Sequence, residues 1–530
     1  MAAMLPRSSS YLGVDQCNHR FLPDPGPVAA GSHPCATILG AQVVRNREVT
    51  LRITLIEPAA PGFHVYSFVR QIRLGLPLLG ALLVQRGHEV RIFGECLSEV
   101  DWDYALSSDL VGISTTTSTA VRAYKYAQRV RDAGIPVVMG GPHVTFLPEE
   151  AMDFCDYVVR NEGEDTLLEL VDHLQGKGSL ENILGLTYRA ADGQVVHNPP
   201  RPLRQSLNDL PWPDLTLVQG WERITPTPIL ASRGCPYDCE FCSVVLMFGR
   251  RVRVLEPEEI VKQIKRLKPR KLFFYDDNFF ISKRWGTELL KEMIKQRLDV
   301  PFFAQIRVDS VYKNGKKDKD TLDLLWNAGC RIVYLGLESV NPATLEEYHK
   351  ECSIDDMAGG LEALAERGIK THGMFVFGGD SDTLESLYYT ADFAAEHGLN
   401  SAQFLILTPL PGTRQTAQLE AEGRIFTKNW SLYDGHHVVF WPKNMTPYEL
   451  QEATLAAHRR FYRARRIVTL KPKAPMYRKH QLQGYLMSRA WEHVRENREY
   501  LRELKEFSKS RPPFRPAGTG LLGSGLSAAK

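Results

Sequence analysis

A chain of 530 residues with 43% hydrophobic residues has material for two or three domains with substantial cores. Its 65 Lys and Arg against 62 Asp and Glu leave a formal charge of +3, which gives no reason to invoke nucleic acid. No apolar run approaches the roughly 20 residues of a membrane span, and the nine cysteines, scattered apart from one trio, do not make a secreted disulfide framework; a reduced, cytoplasmic setting is expected.

Residues 1–49 are rich in Pro, Gly and Ser and lack the apolar core of a signal peptide. They are expected to be a disordered extension, or to follow a start site placed too early. The first domain is expected over 50–183. Strands are predicted at Leu51–Ile56, His88–Phe93, Leu110–Ser114, Pro136–Met139 and Tyr157–Val159, with helices at Leu78–Gln85, Ala120–Ala133 and Asp165–Leu174. Strands alternating with helices at this interval make an α/β, doubly wound parallel sheet, whose ligands sit at the carboxyl ends of the strands. Three loops fall there: Ser114, Thr115 and Thr116; Gly140, Gly141, Pro142 and His143; and Asn161 to Glu164, with Gly163. Small residues admit a large ligand close to the backbone, and hydroxyls can bond a nucleotide-like tail. No G-x-G-x-x-G follows the first strand, so a dinucleotide is disfavoured.

Residues 184–225 are expected to hold a hairpin, turning at Ala191-Asp192-Gly193, and a Pro-rich linker. From 226 to 425 a second αβ alternation begins with the apolar run Pro228–Ala231, followed by Arg233-Gly234-Cys235-Pro236-Tyr237-Asp238-Cys239-Glu240-Phe241-Cys242. Three thiols at C-x3-C-x2-C spacing on one loop can hold three corners of a [4Fe-4S] cube and leave one iron open. Zinc usually takes four ligands in paired clusters, and no second pair lies nearby. Further strands are predicted at Lys271–Tyr275, Pro301–Arg307, Ile332–Gly336, Gly373–Gly379 and Gln403–Leu407, six in all, with helices at Pro257–Leu267 and Thr287–Gln296. Such a set builds a partial (β/α)6 TIM-like barrel with its site at the strand ends. Charged helices at Pro447–Arg466 and Arg489–Phe507 give 426–508 a small helical character. His436 and His437 are assigned to packing, and 509–530 to a disordered tail.

The cysteine loop, through Cys235, Cys239, Phe241 and Cys242, resembles the hallmark of the radical S-adenosylmethionine (SAM) superfamily, and the preceding sheet is similar to the cobalamin-binding domain of one branch of it. The resemblance implies that Cys235, Cys239 and Cys242 ligate a [4Fe-4S] cluster and do the catalytic work there. It implies that SAM is bound by Phe241, by Asp276, Asp277 and Asn278 at its amino group, by Arg307 at its carboxylate, by Glu338 and Ser339 at its ribose, and by Gly378 and Gly379 along its adenine. Cobalamin would lie against Ser114, Thr115, Thr116, Gly140, Gly141, Pro142, His143, Gly163 and Glu164. His64 lacks the Asp and Gly of the cobalt-ligating D-x-H-x-x-G motif, so a loop role is favoured over ligation. The activity implied is reductive cleavage of SAM to a 5'-deoxyadenosyl radical, leading to methylation of an unactivated carbon of a small molecule, with an electron donor such as flavodoxin or ferredoxin. Cyclisation, and a first domain that binds substrate in place of cobalamin, are the alternatives. A methylthiotransferase would need three more thiols in the first domain, where only Cys96 and Cys155 occur. A non-enzymatic iron-sulfur module would leave the polar strand ends unexplained.

Overall fold

The computed structural model describes residues 50–62, 70–463 and 475–509, the last from Gln481 for side chains. The expectations for 1–49, for His64 and for the tail beyond Lys509 fall outside the described residues.

The first domain is a seven-stranded sheet in the order β2-β1-β3-β4-β5-β6-β7, where β1 is Arg52–Glu57, β2 Glu89–Gly94, β3 Leu110–Ser114, β4 Val137–Gly140, β5 Tyr157–Val159, β6 Leu186–Arg189 and β7 Val195–His197. The first five run parallel. A continuous apolar run is what a parallel strand needs when helices cover both of its faces. In β1, accordingly, Ile53 and Leu55 join one core with the helices Gly75–Gln85 and Glu164–Leu174, while Ile56 joins the opposite core with the helix Ala120–Asp132. The hairpin expected to open the connector extends this sheet instead. β6 pairs antiparallel with β5, because Leu186 and Tyr188 are buried in the first core.

The second domain has six parallel strands in sequential order, β8 Thr227–Ile229, β9 Leu272–Phe274, β10 Phe302–Ile306, β11 Cys330–Glu338, β12 Lys370–Phe377 and β13 Ser401–Ile406. It is an open partial barrel, and all its strands end on one side. The helix predicted from Thr287 starts earlier, at Lys283, because the Ser282 hydroxyl accepts the Trp285 N–H and caps it.

The C-terminal region closes the barrel's flank. Helix Pro447–Phe461 is locked to β13 through Tyr462, whose hydroxyl accepts from the Ala402 N–H at 2.9 Å and donates to its carbonyl at 2.7 Å. The single helix predicted over Arg489–Phe507 is two, Pro475–His493 and Arg495–Lys509, with Tyr500 pinned by its hydroxyl to Val438. His437 does pack. It is buried against Trp491 and Tyr500, its Nδ1 is 3.0 Å from the Asp434 carboxylate, and its Nε2 faces Asn497. Burial alone would raise the Asp434 carboxyl; the neighbouring imidazoles outweigh it and hold it at about 2.

Candidate active site at the cysteine loop

The cysteine loop leaves β8 and crosses the open end of the barrel. Gly234, with φ of 88°, sits where a Cβ would lie 2.2 Å from the Arg251 carbonyl oxygen, so only glycine lets the loop thread past that backbone. The Cys235 N–H then donates to the Gly249 carbonyl at 3.1 Å. All three thiols are free and half-buried. Burial raises each of them, Cys242 to about 12, and the three lie close enough to feel one another's charge. A buried thiol gives up its proton when a metal takes its place. Three thiols on one loop are the donor set that a [4Fe-4S] cube takes when one iron stays open, whereas a closed zinc site takes four ligands. Phe241 lies edge-on to the buried Tyr348, with ring centroids 5.1 Å apart.

The strand ends around the loop carry the polar residues named above, and most have protein partners. Asp276 is buried and accepts from the Ala231 N–H at 3.1 Å and from the Ser232 hydroxyl, binding β9 to the start of the cysteine loop. Burial pushes its carboxyl up to about 7, against those hydrogen bonds. It therefore braces the loop. Asp277 is reachable by water but crowded by protein; the loss of solvent raises its carboxyl to about 6, and its charge reaches Cys235 and Cys242. Asn278 accepts the Phe280 N–H, while its buried Nδ2 has no partner. Arg307 forks onto Asp309 at 3.0–3.2 Å and lies 4.0 Å above the Tyr237 ring. Glu338, in the left-handed region at φ 62°, pairs with Lys350 at 3.0 Å beside Cys239. A non-glycine residue held there costs about 1–3 kcal/mol, which its surroundings must offset. The Ser339 hydroxyl accepts the Asn341 N–H. Gly378 and Gly379 donate to Asp382, and a Cβ on them would meet Leu450 and Thr344, respectively, at 2.9 Å. The protein's own packing explains those two glycines.

At the crest of the first sheet, β3, β4 and β5 are neighbours, so their three loops lie side by side. The Thr115 N–H and hydroxyl both donate to the Gly140 carbonyl, at 2.8 and 2.9 Å, and a Cβ on Gly141 would come within 2.4 Å of the Thr115 oxygen. Thr116 caps the turn at Thr119. Pro142 opens a short helix, and Gly163 packs on Val159. His143 is fully buried, with Nε2 3.4 Å from Glu150; that carboxylate also receives the Tyr124 hydroxyl and the Trp430 indole N–H. Glu164 departs from its expected role. Its carboxylate is committed to Arg233 at 2.6 Å.

That contact belongs to a network the sequence reading missed. Arg233, two residues before Cys235, donates to Glu162 at 3.0 Å and to Glu164; Arg253 donates to both oxygens of Glu162 at 2.8 Å. All four side chains are buried. Burial would raise the Glu162 carboxyl, but the two guanidinium groups hold it below its usual range. The network fastens the β5 loop of the first sheet directly to the cysteine loop. On the loop's other side, Arg414 donates to Asp238 and Glu240 at 2.9 Å each and to the Asp238 carbonyl at 2.8 Å. The available signals were two acids spaced two apart in a crest loop and an arginine beside the first thiol, neither distinctive alone.

The chain is similar to known proteins in sequence and in fold. Residues 229–394 match the family model of the radical SAM superfamily, and 70–171 that of the B12 binding domain. An uncharacterized methyltransferase of Pyrococcus horikoshii is 32% identical over 436 residues, 79% of this chain and 92% of its own. Bacteriochlorophyllide d C-8(2)-methyltransferase of Chlorobaculum tepidum is 29% identical, covering 68% of this chain and 78% of its own. In fold, the chain is similar to the radical S-adenosylmethionine methyltransferase TsrM from Kitasatospora setae, solved with cobalamin and a [4Fe-4S] cluster, with a TM-score of 0.62, 18% identity and coverage of 87% of this chain and 100% of that one. The chain belongs to the cobalamin-binding radical SAM enzymes. Membership brings the cofactors of that family: SAM and an iron-sulfur cluster for the barrel, cobalamin for the first sheet. No described helix is long and apolar enough to cross a membrane.

Proposed function

We propose that this enzyme methylates an unactivated carbon of a small molecule, using SAM at a [4Fe-4S] cluster on Cys235, Cys239 and Cys242 and a methyl-carrying cobalamin on the crest of the first sheet. The observation that carries this reading is the three-thiol loop, bolted through Arg233 to the β5 crest loop, which supports a single interface between the proposed cluster and cobalamin sites. The relatives named for methyl transfer, to bacteriochlorophyllide among others, support the reaction class.

When bound, the cofactors supply reductive cleavage of SAM and carriage of the methyl group; the protein orients them and excludes water. Asp277 presents an acceptor for an ammonium group, and the unpartnered Nδ2 of Asn278 is a donor with no protein acceptor. Such a pair suits the amino acid end of SAM. Arg307 and Lys350 put positive charge near the thiols, which favours thiolate formation and a bound carboxylate. Glu338 and Ser339 remain the proposed ribose side, with Gly378, Gly379 and Phe241 on the adenine side. At the crest, Ser114 and Gly140 are the proposed contacts of the cobalamin tail, with Thr115, Thr116, Gly141, Pro142, His143 and Gly163 shaping its bed. One electron per turnover is to come from a carrier such as flavodoxin or ferredoxin.

Anaerobic reconstitution tests the reading. The full chain should take up iron and sulfide with an iron-sulfur absorption band, bind one corrinoid, and with dithionite convert SAM to 5'-deoxyadenosine and methionine. Cys239→Ala should abolish the band and the cleavage while corrinoid binding persists. A chain that cleaves SAM yet never retains a corrinoid would overturn the cobalamin half.

A further inference from the structure

A cleft of about 730 Å³ opens beside the cysteine loop. Tyr237, between the first two thiols, forms part of its wall, together with Lys283, Lys313, Lys316, Lys319 and Asp320. The cleft therefore borders the loop that carries the thiols. Arg307 stacks on the Tyr237 ring, and its charge reaches both Cys235 and Cys239.

Positive charge collects here in a nearly neutral chain. Lys313 and Lys316 stand on a short antiparallel ribbon, Tyr312–Lys313 with Lys316–Lys317, whose tip is held by Asp356 through the Asn314 and Gly315 N–H groups at 3.1 and 3.0 Å. Lys283, Lys313, Lys316 and Lys319 are exposed. Local carboxylates are mostly engaged: Asp309 by Arg307, Asp318 by Lys283, Asp356 by the ribbon tip. Among the described ion pairs none involves Lys313, Lys316 or Lys319, and of the carboxylates lining the cleft only Asp320 lacks one. Aromatic Tyr237, Phe280 and Tyr312 supply an apolar floor. A cationic, partly apolar surface is complementary to an acidic protein face.

We propose that this lysine-lined cleft docks an acidic flavodoxin, a protein that carries single electrons on a flavin. The proposal rests on the reading of the cysteine loop as a cluster site. In the transfer, the carrier's reduced centre loses one electron and the centre on the cysteine loop gains it; no atom or proton crosses between the proteins.

The test uses the full chain and the triple variant Lys313→Glu, Lys316→Glu, Lys319→Glu, with an acidic flavodoxin as probe. Titrated into cluster-free protein at low salt, the flavodoxin should bind saturably, and the variant should bind about tenfold or more weakly. In loaded enzyme, SAM cleavage driven by reduced flavodoxin should fall in parallel, whereas cleavage driven by dithionite should match the unmodified chain. The neutral triple serine variant should fall between the two. Equal flavodoxin affinity for the variant and the unmodified chain would overturn the proposal, as would a cleft that takes up inorganic triphosphate but no flavodoxin. Failure of dithionite-driven cleavage in the unmodified chain would instead sink the cluster reading, and the cluster-free titration would still decide the docking surface.

Discussion

The cysteine loop is anchored on two sides by the same chemistry, arginine on carboxylate, in opposite surroundings. Toward the first sheet, the side chains of Arg233, Glu162, Glu164 and Arg253 are 7, 5, 6 and 3% exposed. Toward the barrel's last strand, Arg414 and Asp238 are 49 and 44% exposed. A buried pair survives only if every charge keeps its partner, because desolvation is already complete; an exposed pair gives little net energy, since water replaces each partner. The buried anchor fixes where the loop lies relative to the other domain. The exposed one ties the loop to the residues that follow the barrel's last strand.

The difference can be broken experimentally, beginning with its deepest member. Arg253→Ala leaves Glu162 with one of its two buried cationic partners and should cost about 3–5 kcal/mol in denaturant unfolding. Glu164→Gln should cost less, about 1–3 kcal/mol, because an amide oxygen still accepts from Arg233 and the Glu164 Oε2 already lacks a partner. Its more telling readout is a rise in SAM cleaved per methyl group transferred, as the two cofactor regions lose their fixed spacing. Arg414→Ala should change stability by less than about 1 kcal/mol, yet iron should leave the reconstituted protein faster when a chelator is added. Raising ionic strength should mimic Arg414→Ala and leave the Arg253 effect intact, as screening over a Debye length of about 10 Å at 0.1 M reaches only exposed charges.

Two buried carboxylates extend the contrast into pH. Asp276 is raised to about 7, so between its ordinary range and neutrality the folded chain holds a proton that the unfolded chain releases. Stability from this group is full below its ordinary pKa and is lost as pH rises through about 7; Asp276→Asn should flatten that slope in melting curves. Asp434, held at about 2, acts in the other direction. Its contribution is present above its ordinary value of 3.8 and is lost as pH falls through about 2, a trend Asp434→Asn should remove.

Much of the architecture was legible from local pattern. Leu110–Ser114 and Tyr157–Val159 coincide with predicted strands, and Pro257–Leu267 with a predicted helix, because apolar runs, an N-terminal proline and acidic first turns act within a few residues. The thiol spacing named its chemistry for the same reason. Residue type did not show the partners inside the protein. Asp276, Glu164, Gly378 and Gly379 stand at strand ends, and the fold also sets each against protein. The hairpin was legible as a hairpin, but its place on the edge of the first sheet was not, because the burial that draws it to β5 comes from elements distant in sequence.

Sequence by itself determined the two αβ alternations and the C-x3-C-x2-C donor set, since each is written in residues that are neighbours along the chain. Only the tertiary structure decided that Arg233 meets Glu162 and Glu164 across separations of 71 and 69 residues, and that Arg253 meets Glu162 across 91. Charges so far apart in sequence carry no mark of their partners. The pairing is imposed when two cores close and each buried charge must find its opposite.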